Sequence, residues 1–148
     1  MKKVICIILA AGVALMLAGC DVTGLEMYGM PRYETKECYY DKDGFQDYTD
    51  FCKYYYNETT IKQFETHSKF KKVLKSDIEE IKSYFEVFVE RAETMYYYEN
   101  YDFDYSTQVK EGDFFYIIED SDCPKYGCYD VYYVDMNKRI LYFIHSNI

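Results

Sequence analysis

The feature that most constrains the fold is a change in the spacing of apolar residues after Asn100, from a helical period to a period of two. Three segments beyond it are rich in Tyr, Phe, Ile and Val, and we expect strands at residues 113–119, 129–135 and 140–146. Residues 135–138 form a turn sequence in which Asn137 can take a left-handed conformation. The last two strands are therefore predicted to form a hairpin.

The segment before this change has the clearest helical pattern, over residues 77–95. Ser76 followed by Glu79 fits a capping box, which predicts that Ser76 caps the helix and that Glu79 bonds back to it. Apolar side chains then recur at spacings of three and four on one face, at Ile78, Ile81, Phe85, Phe88 and Ala92. This stripe predicts a helix that packs against the sheet.

The N-terminal third has weaker patterns. The spacing of Phe45, Tyr48 and Phe51 predicts a short helix, and a second is expected around residues 61–64. The whole pattern predicts an α+β fold. It consists of an amphipathic helix packed on a C-terminal three-stranded antiparallel meander, with a short helical or irregular N-terminal third.

The first residues of the chain have the order of an export signal. Lys2 and Lys3 precede an apolar run at residues 4–17, and Cys20 follows in the sequence Leu-Ala-Gly-Cys. This order resembles the signals of bacterial lipoproteins, which are cut before the cysteine and carry a diacylglycerol on its thiol. An ordinary signal peptide with a chance cysteine is the alternative.

This resemblance implies three parts. Residues 1–19 are expected to be a lipoprotein signal peptide, and residues 20–35 to be the lipidated Cys20 and a tether broken by glycine and proline. Residues 36–148 are then a single ectodomain, because a chain of this length is enough for one hydrophobic core. We expect the protein at the cell membrane, lipid-anchored and facing the extracellular side.

Four cysteines remain once Cys6 in the signal and Cys20 are set aside. An even number of cysteines in an exported domain favours disulfides, and three pairings of Cys38, Cys52, Cys123 and Cys128 are possible. The local pairings are Cys38 with Cys52 and Cys123 with Cys128. A zinc site is the alternative, although the C-x₂-C spacing typical of such sites is missing.

Charge and acidic residues limit the binding partners. The net charge of −9 argues against nucleic acid, which attracts basic surfaces. One acidic segment has a weak likeness to a calcium loop, with candidate ligands Asp41, Asp43, Asp47 and Asp50. Its Gly44 does not fall where an EF-hand loop requires glycine, so a solvated turn is the plainer interpretation. We expect no cofactor.

Tyrosine is unusually frequent, with 20 tyrosines and no tryptophan. A tyrosine-rich β core and surface is the plainer interpretation, and a tyrosine face that captures glycan or another small ligand is the alternative. The sequence contains no nucleophile elbow, phosphate-binding glycine loop or H-E-x-x-H motif. We therefore assign no catalytic residue and do not expect an enzyme, although a small hydrolase is a third possibility.

Three longer stretches carry a second resemblance. Residues 44–56 (GFQDYTDFCKYYY), 76–85 (SDIEEIKSYF) and 129–148 resemble small lipoproteins of low-GC Gram-positive anaerobes, for which no activity is assigned. The resemblance implies a surface location on a bacterium with one membrane. The resulting hypothesis is a membrane-anchored surface lipoprotein whose ectodomain is a protein-binding or structural module.

Overall fold

The computed structural model describes residues 29–40, 48–94 and 109–147. Its compact unit, Pro31–Ile148, is built on one six-stranded sheet. The strands are β1 (Thr35–Tyr40), β2 (Tyr48–Tyr55), β3 (Lys71–Lys72), β4 (Phe114–Glu119), β5 (Tyr129–Asp135) and β6 (Ile140–Asn147). The helices are α1 (Glu58–Ile61), which runs into a 3₁₀ segment at Lys62–Thr66, and α2 (Ile78–Ala92).

The strands lie in the order β1-β2-β6-β5-β4-β3, and every neighbouring pair is antiparallel. The predicted fold class, a helix on a three-stranded meander with a helical or irregular N-terminal third, is therefore wrong. The N-terminal third supplies two full strands, and β2 pairs along its whole length with β6. The protein is mainly an antiparallel sheet.

The error arose at β2. Phe51 lies on the face of the sheet that is covered by α2. Cys52 and Tyr54 are at even-numbered positions of the same strand and therefore lie on the opposite face, and all three residues are buried. A strand with apolar residues on both faces does not alternate in hydrophobicity. The spacing from Tyr48 to Phe51 therefore also fitted a helical turn, and the segment was predicted as a short helix.

The main core lies between α2 and one face of the sheet. The apolar stripe of α2 packs on residues of β2, β5 and β6, and the buried cluster includes Phe51, Ile81, Phe85, Phe88, Val131 and Ile144. The rings of Phe51 and Phe88 lie 6.2 Å apart, as do those of Phe85 and Tyr133. The predicted stripe therefore does face the sheet.

A second apolar layer covers part of the opposite face. α1 and the 3₁₀ segment contribute Ile61 and Phe64, which are buried beside Tyr56 and Phe70. The ring of Phe64 makes edge contacts with Tyr56 at 5.3 Å and with Phe70 at 4.8 Å. The short helix expected at residues 61–64 thus occurs three residues earlier as an α-helix and continues as a 3₁₀ segment.

Asn57 determines where α1 begins. Its Oδ1 accepts hydrogen bonds from the backbone N–H groups of Thr59 and Thr60, both at 2.9 Å. We expect Asn57→Ala to lower the free energy of unfolding by about 1 kcal/mol, because these N–H groups lose their acceptor. Chemical denaturation measures the change, and an unchanged midpoint would contradict it. Thr66→Ala, at the exposed end of the same segment, is the control.

The structure corrects two further local predictions. The N-cap of α2 is Asp77 and not Ser76, and the Ser76 hydroxyl instead donates to the Asp77 side chain at 3.2 Å. In the β5–β6 turn the left-handed residue is Arg139 and not Asn137. Asp135 closes that turn by accepting from the N–H groups of residues 137 and 138.

Candidate protein-binding groove

In the part of the chain that the structure describes, β3 covers only part of the β4 edge of the sheet. β3 pairs with β4 only through Lys71 and Lys72, which lie opposite Phe115 and Phe114. Within the described residues, no strand pairs with the rest of this edge, at residues 116–119. An uncovered edge of this kind is a template for another extended chain.

The backbone groups of β4 point alternately toward β5 and away from it. The N–H of Asp120 donates to the carbonyl of Cys128 at 3.1 Å, on the β5 side. The alternation of an antiparallel strand then assigns even-numbered residues of β4 to β5 and odd-numbered residues to the outside. The N–H and C=O groups of Ile117 and Glu119 therefore point outward from the uncovered edge.

A groove with a volume of about 530 Å³ runs beside this edge, and we call it the β4 groove. It lies between β3, the start of α2 and β4, and its lining includes Leu74, Glu80, Tyr84, Phe115 and Ile117. Leu74 is 57% exposed and is the one large hydrophobic residue among those described that is classed as exposed. The groove therefore offers apolar surface next to outward-pointing backbone groups.

The two ends of the β4 groove carry opposite charge. The lysine end consists of exposed side chains on and around β3, at Lys69, Lys71 and Lys72. The acidic end consists of Glu119, which lines the groove, and of the exposed side chains of Asp120 and Asp122, which follow it in the turn after β4. The lysine end was not predicted from the sequence, because only the net charge and the acidic segments were considered. The run KFKKVLK at residues 69–75 was the signal that could have revealed it.

The floor of the groove is held by a hydrogen bond between α2 and β4. The Tyr84 hydroxyl donates to the Glu119 carboxylate. Burial raises the pKa of Tyr84, and the hydrogen bond to Glu119 raises it further, so the phenol stays protonated and keeps its donor role. The Tyr84 ring also contacts the rings of Tyr126 and Tyr129, at 4.8 and 5.1 Å. These contacts fix the position of the Tyr84 side chain in the floor of the groove.

The prediction of disulfides is confirmed. The structure pairs Cys38 with Cys52 and Cys123 with Cys128. Cys38 and Cys52 face each other directly across β1 and β2, with their Cα atoms 4.1 Å apart. All four sulfurs considered for zinc are therefore used in disulfides. Cys20, the predicted lipidation site, lies outside the described residues.

The predicted calcium ligands are only partly covered by the structure. Asp41, Asp43 and Asp47 lie outside the described residues, and Asp50 lies in β2 opposite His145. His145 Nδ1 is 2.5 Å from Asp130 Oδ1 on the neighbouring strand. The described ranges contain no group of three or more His, Cys, Asp or Glu side chains that could hold a metal ion. The calcium site stays a prediction.

Many of the tyrosines that the structure describes are core residues. Seven have buried side chains: Tyr54, Tyr56, Tyr84, Tyr129, Tyr132, Tyr133 and Tyr142. On the face opposite α2, Tyr132 stacks between Tyr116 and Phe143, with ring centroids 5.8 and 4.8 Å apart. The rings of this row thus contact one another, and glycan capture on a tyrosine face stays a prediction.

A buried acidic cluster lies at the other end of β4, where Asp113 is only 4% exposed. The Tyr133 hydroxyl donates to its Oδ2, and the Met136 N–H donates to its Oδ1 at 3.1 Å. Burial raises the pKa of the Asp113 carboxyl above its usual range, and the nearby charge of Asp135 raises it further. This cluster is interpreted as structural.

The raised pKa of Asp113 predicts a pH dependence of stability. The folded state binds this proton more tightly than the unfolded state, so the contribution of Asp113 to stability is complete below about pH 4. It is lost as the pH rises through the folded-state pKa. We therefore expect the free energy of unfolding of the wild type to fall relative to Asp113→Asn between pH 4 and 7. Urea denaturation at several pH values measures this, and parallel pH profiles would contradict it.

The described part of the chain contains no helix that is long and apolar enough to cross a membrane. Comparisons of the chain with protein-family models, with curated proteins and with solved structures found no match.

Proposed function

We propose that this protein is a lipid-anchored module of the cell surface whose folded domain binds another protein chain through the β4 groove. The uncovered edge of β4 carries this proposal, because Ile117 and Glu119 turn their backbone groups toward it. The two disulfides support export, since such bonds persist in oxidising compartments. The proposed role is binding and includes no catalytic step.

Binding would occur by addition of a strand to the sheet. An extended segment beside residues 116–119 would exchange hydrogen bonds with the outward groups of Ile117 and Glu119. The exposed side chain of Leu74 would be covered by an apolar residue of that segment. The opposite charges at the two ends of the groove would set its direction.

Photo-cross-linking in the producing cells tests the binding role. A benzophenone amino acid at Leu74, which lies in the groove and is exposed, is expected to give a protein adduct on irradiation. The same amino acid at Lys138, an exposed residue in the β5–β6 turn, is the control and is expected to give none. The absence of any adduct at Leu74, with the domain folded, would remove the proposed function.

The lipid anchor is tested separately at Cys20. We expect Cys20→Ala to abolish acylation and to move the mature chain out of the membrane fraction, or to leave an unprocessed precursor. Intact-mass spectrometry and membrane fractionation measure these outcomes. Cys6→Ala, in the apolar run of the signal, is the matched control. Membrane association without an acyl mass would contradict the anchor.

A further inference from the structure

We propose that the chain bound in the β4 groove is a second copy of this protein, whose β4 pairs antiparallel with the first across a two-fold axis. This inference rests on the proposed function and specifies its partner. A two-fold contact places the same patch of both subunits face to face, so the patch must complement itself. The β4 edge meets this condition in hydrogen bonding and in charge.

The backbone groups select one register. If Ile117 of one copy lies opposite Glu119 of the other, the outward N–H and C=O groups of both residues are used in both copies. Placing Ile117 opposite itself would instead set Glu119 against Phe115, whose outward side is already paired with Lys71 of β3. The register that uses all the outward groups therefore puts Ile118 on the two-fold axis, opposite Ile118 of the second copy.

The charges select the antiparallel direction. In that direction the acidic end of one groove, at Glu119, Asp120 and Asp122, lies beside the lysine end of the other, at Lys69, Lys71 and Lys72. The Lys69 ammonium already lies over the Tyr116 ring, 5.9 Å from its centroid, at the position that Asp120 of the second copy would approach. A parallel arrangement would bring lysine to lysine and is disfavoured.

The opposite edge of the sheet differs from the β4 edge. β1 has Lys36 and Glu37 at successive positions in its first half, and charged residues of this kind protect an edge strand from pairing. Residues 116–118 of β4 are Tyr, Ile and Ile and carry no charge. The β4 edge is therefore the better site for joining two sheets.

The register gives a direct test, because a residue on a two-fold axis meets itself. Residues that face each other in a non-hydrogen-bonded antiparallel pair have Cα atoms about 4.5 Å apart, which a disulfide can span. Cys38 and Cys52 form such a cross-strand bond within this chain. In the full chain, exported by the producing cells, Ile118→Cys is expected to form a disulfide-linked dimer that a reductant separates.

Ile117→Cys is the matched control. Its side chain points to the opposite face of the sheet and lies opposite Glu119 of the second copy, so we expect at least fivefold less dimer than with Ile118→Cys. Non-reducing electrophoresis after thiol alkylation measures both variants. Equal dimer from the two variants, or dimer from Ile117→Cys alone, would overturn this register. No dimer from either would overturn pairing through β4.

A second variant tests the pairing without an added thiol. Ile117→Pro removes an N–H that points outward, and proline is tolerated in an edge strand where the N–H is not used by the sheet. Two differently tagged copies in the same cells are expected to co-purify as wild type and to separate as Ile117→Pro. Co-purification that survives this variant would contradict pairing through β4.

The Leu74 adduct distinguishes this inference from the proposed function. An adduct whose mass is twice that of the chain supports both. An adduct with a different protein, and no Ile118→Cys dimer, leaves the binding role intact and overturns the self-pairing. No adduct and no dimer would overturn both.

Discussion

Replacing Phe88 by alanine is expected to lower the free energy of unfolding by about 3–5 kcal/mol, because the site is a fully buried aromatic contact. Phe88 is 0% exposed and lies in the layer between α2 and the sheet, with its ring 6.2 Å from that of Phe51. The loss includes the transfer of the ring from water and the cavity that remains. Domains are typically stable by only about 5–15 kcal/mol, so a large share of the variant would be unfolded on heating.

Thermal and urea denaturation of the oxidised protein measure this change. Leu74→Ala is the matched control. Leu74 is an apolar residue that precedes α2 in the sequence, and because its side chain is 57% exposed, its truncation removes little buried surface. We expect Leu74→Ala to unfold within about 0.5 kcal/mol of the wild type, as surface substitutions generally do. Similar losses in the two variants would show that α2 does not contribute the core described above.

Removal of the Cys38–Cys52 disulfide is the second large effect that we expect. The bond closes a loop with a sequence separation of 14 residues, and the chain-entropy relation gives about 3 kcal/mol for a loop of this size. The double variant Cys38→Ser/Cys52→Ser should therefore unfold at a clearly lower urea concentration. The variant also loses a direct cross-strand link between β1 and β2, which is expected to lower its stability further.

The second disulfide provides the comparison. Cys123–Cys128 has a sequence separation of 5, and the same relation gives about 2 kcal/mol for its removal. In a strong reductant, the wild type loses both disulfides as well. The difference in stability between the wild type and either double variant, Cys38→Ser/Cys52→Ser or Cys123→Ser/Cys128→Ser, should then vanish. A larger loss at the shorter loop would contradict the loop-entropy explanation for this chain.

The sequence predicted the C-terminal elements better than the N-terminal ones. Residues 129–135 were expected to form a strand, and these are the bounds of β5. A run of Tyr and Val between turn residues is typical of a strand and does not fit a helical pattern. The helix from residue 77 was also recognisable, since only one of its faces is buried. At β2 both faces are buried, so no alternation distinguished the strand from a helix.

The candidate site could not be predicted because it depends on an absence of pairing. Nothing in the sequence of residues 71–72 shows that β3 ends after two residues, or that no described strand pairs with Ile117 and Glu119 beyond it. The cysteines could be predicted as disulfides, but their pairing depended on the β1–β2 register, which places Cys38 opposite Cys52. Strand register is set by distant partners, and local spacing does not contain it.

The position of β6 has a consequence for the order in which the chain can fold. β6 is the last of the six strands to be synthesised, yet it lies between β2 and β5 and pairs with both. The hairpin of β1 and β2 therefore cannot join β5 and β4 until residues 140–147 have emerged. Contacts over such long sequence separations slow folding, so we expect β6 to join the sheet late and to complete it.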